Sequence, residues 1–379
     1  MRPRALILLC ALVLGLAGCG SAIRNGGSGE LEVTASDTEC TVAKTSLPAG
    51  RHTFAVTNTG SKVTEFYVYG TGDRVVGEVE NVTPGLRRTV TVDLAAGAYQ
   101  AACKPGMVGD GIRTALTVTG SAASQPAHEK LTAAVASYQQ YVRAQLDPLV
   151  DRTAAFVAAV KAGDRDQAKA LYPQARIYYE RIEPVAESFG DLDPKIDARE
   201  NGVEPGGTWT GFRRLEKDLW AGAAPGPNAT IADLGPDAAI ADQLNADVAE
   251  LKKRVAGLTL EPLQLASGAK ELLDEVAANK LTGEEDRYSH TDLWDFQANV
   301  EGSRAAIAAL RPYLDEREPA VGRALDDRFA AVQAELAKYR SGTGFVSYAS
   351  LNPAQVKELS DALNGLAEPV SKVAVLVAK

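Results

Sequence analysis

The segment WTGFRRLEKDLW places a basic and an acidic side chain at the spacing of a two-ligand metal motif. Arg213 and Glu216 are three residues apart, so on a helix their side chains share one face, where two ligands can reach the same ion. A guanidinium stays protonated and cannot coordinate a metal. Of this pair, Glu216 is therefore the candidate ligand, and Arg213 is predicted to modify the site.

A second acidic group precedes this segment, in YYERIEPVAE. Glu180, Glu183 and Glu187 recur at i, i+3 and i+7, which places them on one stripe of a helix. Two interpretations stay open at this point. The stripe is either a solvated acidic face paired with Arg176 and Arg181, or a set of carboxylates that binds a cation.

Further charged and polar side chains stand in two other segments. Asp197 and Glu200 belong to a long irregular segment, 189–208, which is expected to be either a cover over the site or a charged surface loop. His290 and Asp292 open SHTDLWDFQ, where they are expected to begin a helix. The chain has three histidines, so a metal site must be rich in oxygen, which favours hard cations such as ferric iron over zinc.

The N-terminus predicts export from the cytoplasm. Residues 1–18 combine arginines, an apolar run and small residues, which is typical of a secretory signal peptide and too short for a membrane span. Residues 16–19, LAGC, resemble the bacterial lipobox, which predicts that Cys19 is lipidated and anchors the chain to the cell membrane. The alternative is a plain signal peptide that is cut near the same place. Residues 19–30 are predicted to form a flexible tether.

The period of the apolar residues changes once along the chain and predicts a multidomain α+β protein. In residues 31–120, short alternating runs separated by turn signals predict a β-sandwich. A linker at 121–127 follows, and helical spacing through 128–379 predicts an all-α bundle. The predicted helices are 128–162, 164–188, 209–220, 237–257, 260–280, 292–313, 319–340 and 353–377. The formal charge of −9 disfavours nucleic acid as a partner.

Three motifs of the helical region, YYERIEPVAESFGDLDPKIDARE, WTGFRRLEKDLW and YSHTDLWDFQANVEGS, resemble the imelysin-like domain of EfeO-type iron-uptake proteins. The β region, with SDTECTV, TEFYVYG and CKPGMVGDGIRTALTVTG, resembles the cupredoxin-like domain of the longer members. The resemblance implies a periplasmic or cell-surface component that captures iron for a membrane permease, beside a haem-dependent peroxidase. Members usually have His-x-x-Glu where this chain has Arg213 to Glu216, so one ligand is replaced. The resemblance also implies that His290 and Asp292 line the site.

The resemblance leaves three interpretations of Arg213. The first is a fixed ion pair with the acidic stripe, in the place where relatives hold a cation. In the second, Arg213 points away, and Glu216 binds the metal together with carboxylates from other helices. In the third, Arg213 and Arg214 bind an anionic metal chelate.

In the β region, the resemblance implies a metal site built from Cys40, Glu65, Cys103 and Met107. Sulfur ligands favour copper, so copper is predicted there and iron in the helical domain. Two cysteines in an oxidising compartment also form disulfides, and a Cys40–Cys103 bond is the alternative.

The expected function is metal binding rather than catalysis. The sequence has no His-Glu-x-x-His and no Gly-x-Ser-x-Gly motif. The alternatives are a binding module for an acidic polysaccharide or a metal chelate and, less favoured, a hydrolase, because imelysin-like domains have been grouped with peptidases.

Overall fold

The computed structural model describes residues 30–120, 129–203, 206–221, 236–278 and 280–378. The predicted signal peptide, Cys19, the linker 121–127 and all but the last residue of the tether lie outside these ranges. The described chain has a β domain followed by a helical domain, so the predicted fold class is confirmed.

The β domain is a sandwich of two sheets. Its strands are β1 Leu31–Ala35, β2 Cys40–Val42, β3 Ser46–Pro48, β4 Gly50–Asn58, β5 Thr64–Tyr69, β6 Val75–Val82, β7 Arg87–Leu94, β8 Gly97–Pro105 and β9 Ile112–Thr119. The sheets have the strand orders β2-β1-β4-β7 and β3-β9-β8-β5-β6. In β1, LEVTA, every second side chain is buried, which is the alternation expected of a strand with one face in a core.

The second sheet has one face in the sandwich core and one face toward the helical domain. Phe66 on β5 and Cys103 on β8 are cross-strand partners, and both are fully buried in the core. Their chain neighbours Tyr67 and Lys104 lie on the opposite face, because side chains alternate along a strand. That face lines a cavity shared with the helical domain.

The helical domain packs its helices around one apolar core. Its helices are α1 Glu129–Lys161, α2 Arg165–Glu180, α3 Leu192–Asp197, α4 Phe212–Trp220, α5 Pro236–Val255, α6 Pro262–Ala278, α7 Asp292–Arg317, α8 Pro319–Ala337 and α9 Pro353–Val377. The short strands β10 Arg340–Ser341 and β11 Gly344–Phe345 pair between α8 and α9. The segment 189–208 was expected to be irregular, yet it contains α3.

The predicted helix 164–188 is wrong in its last third, after residue 180. The α-helix ends at Glu180, and residues Glu183–Phe189 form 3₁₀ turns. Pro184 explains the break, because its ring would clash with the carbonyl of Glu180 in a continuous helix. Glu180 and Glu183 therefore do not lie on one α-helical stripe.

Glycine sets the close approach of α3 and α4. Gly211 has φ of 88° and precedes the first residue of α4. A Cβ at this position would overlap the carbonyl oxygen of Ile196, at the end of α3. The absence of a side chain thus lets Asp197 and Arg213 come together.

The two domains pack against each other within the described part of the chain. The 3₁₀ turns Glu183–Phe189 and α6 pack against β6, and a Cβ on Gly190 would crowd the carbonyl oxygen of Gly72. Elsewhere, the Arg51 guanidinium donates to the carbonyl of Ala378. Among the described residues, no helix combines the length and apolar character that crossing a membrane requires.

Candidate metal site

Charged side chains from four helices and one loop converge inside the helical domain. The end of α2 supplies Arg176 and Glu180, the end of α3 supplies Asp197, and α4 supplies Arg213 and Glu216. The loop before α7 and the first turns of α7 supply four acidic groups: Glu285, Asp286, Asp292 and Asp295. Most of these side chains are buried, so their charges interact through protein rather than through water.

Arg213 lies in the middle of this cluster and is 2% exposed. Its Nη2 is 2.9 Å from Asp197 Oδ2 and also pairs with the Glu285 carboxylate. Its Nη1 is 3.4 Å from Asp286 Oδ1. The guanidinium points into the acidic cluster, which contradicts the interpretation in which Arg213 points away.

Three carboxylates around Arg213 are close enough to bind one ion. Oxygens of Glu180, Asp197 and Glu285 lie within 4.8 Å of one another. Arg213 Nη2 pairs with the last two and is 3.8 Å from Glu180 Oε1. The positive charge of the guanidinium therefore contacts the same three carboxylates that a cation would use.

Arg176 holds the cluster from the opposite side and is fully buried. It pairs with Glu180, one turn later on α2, and with Asp197. Its Nη2 is 2.8 Å from Asp295 Oδ2, and its Nε is 3.8 Å from Asp286 Oδ1. One guanidinium thus orients carboxylates from α2, α3, α7 and the loop before α7.

An asparagine links the two glutamates that the sequence singled out. Asn299 Nδ2, on α7, donates to Glu180 Oε2 at 2.9 Å and to Glu183 Oε2. Glu180 is fully buried, so the interpretation of a solvated acidic face is wrong for this residue. Arg181 pairs with Glu301 instead of the predicted stripe.

Burial raises the pKa of several acidic groups in the cluster. Desolvation is the largest cause for Asp286, where the pKa rises to about 8, and for Asp292, where it rises to about 7. The pKa of Asp295 is raised well above its usual range for the same reason, against the opposing effect of Arg176. Proton loss from this part of the cluster is unfavourable without an added positive charge.

The cluster adjoins a cavity of about 660 Å³ between the two domains. Asp197 and Glu285 line it from the helical side, and Tyr67 and Lys104 line it from the β domain. Eleven of its lining residues are acidic and four are basic. The cavity therefore has the electrostatic character of a cation site.

Other predicted site residues lie at the edge of this arrangement. Glu216 is 1% exposed, and its Oε1 accepts the N–H groups of Tyr288 at 3.0 Å and Ser289 at 2.7 Å. Glu200 pairs with Lys217 near the surface. His290 is half-buried, has φ of 55° and shapes the turn before α7.

The four candidate ligands of the β domain do not come together. Cys40 and Cys103 form a disulfide between the two sheets, so neither presents a thiolate, and their prediction as copper ligands is wrong. Glu65 lies on the other face of its sheet, where the Tyr67 hydroxyl donates to it at 3.0 Å. Met107 is 39% exposed in the loop after β8. Strand alternation separates Glu65 from the disulfide sulfurs.

The sequence interpretation missed several members of the cluster. Glu285 and Asp286 stand in the run GEEDRYSH, and neither they nor Asp295 were among the predicted site residues. The spacing of Asp292 and Asp295, three apart in an otherwise apolar helix start, was an available signal. Arg176 was expected only as a surface partner of glutamates.

Comparison with known proteins identifies the family. Residues 134–373 match the imelysin model of peptidase family M75, and residues 6–118 match a cupredoxin-like domain. Iron uptake system component EfeO from Escherichia coli K12, from E. coli O157:H7 and from Shigella flexneri is in each case 41% identical over 351 residues, 91% of this chain and 90% of the relative. The chain belongs to the EfeO-type imelysin family. The resemblance inferred from the motifs is thereby confirmed.

A solved structure shares part of the fold of this EfeO-type chain. A protein from Parabacteroides distasonis, described as an iron-regulated protein A precursor, aligns with a TM-score of 0.53. The alignment covers 69% of this chain and 98% of that chain, at 14% identity. At this identity the likeness concerns the fold alone.

Proposed function

We propose that this EfeO-type protein is an extracytoplasmic component of an iron-uptake system and captures iron in the acidic cavity between its domains. The observation that carries the proposal is the excess of acidic over basic residues lining the cavity, eleven against four. Carboxylate oxygens are preferred by hard cations, which include ferric iron. The named role of the EfeO relatives in iron uptake supports the choice of iron.

The charge of the cavity favours a cation over an anionic ligand. An acidic polysaccharide or an anionic iron chelate would be repelled by the surplus of carboxylates. Arg213 and Arg214 are also unsuited to bind such a chelate, because Arg213 is paired with Asp197 and Glu285, and Arg214 is paired with Asp218. A bare or hydrated iron ion is therefore the proposed cargo.

Arg213 acts as a fixed internal positive charge in this proposal. It pairs with Asp197 and Glu285, which also line the cavity, so iron that enters the cavity meets carboxylates already oriented by the guanidinium. Glu183 and Glu275 line the same cavity and supply further oxygens. The Arg213 charge weakens iron binding relative to a histidine at this position, because like charges repel.

The remaining parts of the proposal come from the N-terminus and the family. A lipid on Cys19 would hold the protein at the cell membrane, where a permease receives the iron and a haem-dependent peroxidase acts beside it. Copper in the β domain stays a prediction, and with the cysteines paired it would depend on oxygen ligands such as Glu65. The test of localisation is radiolabelled palmitate incorporation into the wild-type chain, which a Cys19→Ser variant should lose.

Iron titration of the mature chain without its lipid tests the capture proposal. Wild type is expected to bind iron, and Arg213→His is expected to bind it more tightly, because the variant frees Asp197 and Glu285 and adds an imidazole. Glu216→Ala should change the affinity little, since Glu216 Oε1 is already occupied by two backbone N–H groups. The neighbouring Arg214→His variant is the matched control and should bind like wild type.

The outcomes separate the parts of the proposal. If wild type binds neither ferrous nor ferric iron in calorimetry, iron capture by this chain is wrong. If wild type and Arg213→His bind iron equally tightly, Arg213 does not act as an opposing charge. Peptide hydrolysis that Glu216→Ala abolishes would instead support the hydrolase alternative.

A further inference from the structure

The helical domain buries more acidic than basic side chains. Six carboxylates are at most 3% exposed: Glu180, Glu216, Glu285, Asp286, Asp292 and Asp295. Two guanidiniums, Arg176 and Arg213, are buried to a similar degree. Charges removed from water require nearby counter-charges, and two arginines can neutralise only some of six carboxylates, so the others need either a proton or a bound cation.

Two of these carboxylates each have an oxygen without a hydrogen-bond partner among the described residues. Asp292 is 1% exposed; its Oδ1 accepts the Asp286 N–H at 3.3 Å, and its Oδ2 has no partner. Asp295 is 0% exposed; its Oδ2 accepts from Arg176 Nη2 at 2.8 Å, and its Oδ1 has no partner. A buried acceptor without a donor is costly, so each oxygen marks a place for a missing ligand.

The two aspartates are placed to share that ligand. They are three residues apart on α7, so their Cβ atoms are about 5–6 Å apart on one helix face, and their carboxylates can reach a common ion. Asn299 follows one turn later on the same face, is fully buried, and also has an unpartnered Oδ1. Its Nδ2 donates to Glu180 Oε2, which fixes the orientation of the amide.

The start of α7 accounts for only part of this arrangement. Helix N-terminal N–H groups favour negative charge at Asp292. They supply no donor to Asp292 Oδ2 or to Asp295 Oδ1. A bound cation would supply the positive charge that these oxygens lack.

We propose that Asp292 and Asp295 form an inner cation site, with Asn299 Oδ1 as a third ligand and water completing the shell. All the donors are oxygen, so the ligand is a hard cation. Arg176 separates this site from the cavity, since it contacts Asp197 through Nη1 and Asp295 through Nη2. The inference rests on the proposed function and adds a second cation, inside the helical domain, to the one proposed for the cavity.

Manganese(II) serves as the probe, because it is a hard cation whose free form is counted directly by electron paramagnetic resonance. Wild type is expected to bind two equivalents of manganese per chain. The Asp295→Asn and Asp292→Asn variants are each expected to bind one equivalent. Asparagine has the shape of a protonated aspartic acid, so it removes the charge with little change in volume. Asp218→Asn is the control, because Asp218 also has an unpartnered Oδ2 but pairs with Arg214 outside this cluster; it should keep two equivalents.

Two results would overturn the inner site and leave iron capture standing. In the first, wild type binds one equivalent of manganese and Asp295→Asn also binds one. In the second, both aspartate variants bind two equivalents of manganese, as wild type does. Absence of any binding to wild type, of manganese or of iron, would remove the proposed function as well.

A measurement on wild type keeps the inference testable if the variants fold poorly. Terbium(III) luminescence lifetimes report how many water molecules coordinate the ion. The inner site predicts two lifetimes, one of them from a poorly hydrated ion, because its ligands are buried. A single lifetime from a well-hydrated ion would contradict it.

Discussion

At the scale of single residues, two adjacent arginines have opposite surroundings. Arg213 is 2% exposed and pairs with Asp197 and Glu285 in the cluster. Arg214 pairs with Asp218 one turn later on α4, and both side chains are partly exposed. Losing one partner of a buried pair leaves an uncompensated charge, whereas an exposed pair contributes little. The two positions therefore form a matched experimental pair.

Arg213→His is expected to lower the free energy of unfolding of the metal-free protein by about 3–5 kcal/mol, because buried carboxylates lose their partner. Arg214→His should lower it by about 0–1 kcal/mol. Urea unfolding in the presence of a chelator measures both effects. Added iron should restore much of the loss in Arg213→His alone; equal losses in the two variants would show that Arg213 does not neutralise the cluster.

The raised pKa values of Asp286 and Asp292, about 8 and about 7, predict how stability depends on pH. Both exceed the ordinary value of 3.8, so between about pH 4 and pH 8 the folded protein binds more protons than the unfolded chain. The contribution of these groups is thus most favourable at low pH and is lost as pH rises through this window. Each group contributes a slope of up to about 1.4 kcal/mol per pH unit.

Asp292→Asn should flatten this decline in the metal-free protein, because asparagine does not ionise. Urea unfolding at pH 5, 6, 7 and 8 with a chelator present measures the slope, and Asp218→Asn is the control that should keep the wild-type slope. Identical slopes in wild type and Asp292→Asn would mean that Asp292 titrates in the folded protein as it does in the unfolded chain.

At the scale of elements, the contact between α3 and α4 positions the cluster. Gly211 permits it, because φ of 88° is accessible to glycine and a Cβ would overlap the Ile196 carbonyl. Gly206, in the preceding segment, has a similar φ of 86°, and a Cβ there would meet nothing within 4 Å. Substituting each of the two glycines by alanine therefore distinguishes the cost of backbone strain alone from the cost of strain together with a packing clash.

Gly206→Ala is expected to cost about 1–2 kcal/mol from the left-handed backbone alone. Gly211→Ala should cost clearly more and should also weaken iron binding, since α4 must move away from α3 and carry Arg213 from Asp197. Urea unfolding and iron titration of both variants measure the two effects. Equal stability losses with unchanged iron affinity would show that the α3–α4 contact does not set the site.

At the scale of the whole molecule, the sequence predicts the parts better than their assembly. The change of apolar period near residue 120 predicts both domains, because strands and helices impose different periods on buried side chains. The partnership of Arg213 with acidic residues followed from the family motif. The family motif does not predict that Glu285 and Asp295 belong to the same cluster. The packing of α7 against α2 brings these two residues to Arg213 and Arg176, and no local sequence pattern encodes that packing. The cavity needs both domains and has no local signature at all.

The negative charge of this shared cavity predicts that iron associates faster than it would with the same ligands in an uncharged cavity. Asp110 lines the cavity from the β domain, and Asp361, on α9, does not. Asp110→Lys is expected to slow iron association several-fold at low ionic strength and much less at high salt, because screening shortens the reach of the field. Stopped-flow mixing across a salt series measures the rates, with Asp361→Lys as the control of equal charge change. If both variants slow association alike, the net charge of the protein attracts the ion; if Asp110→Lys alone does, the cavity guides it.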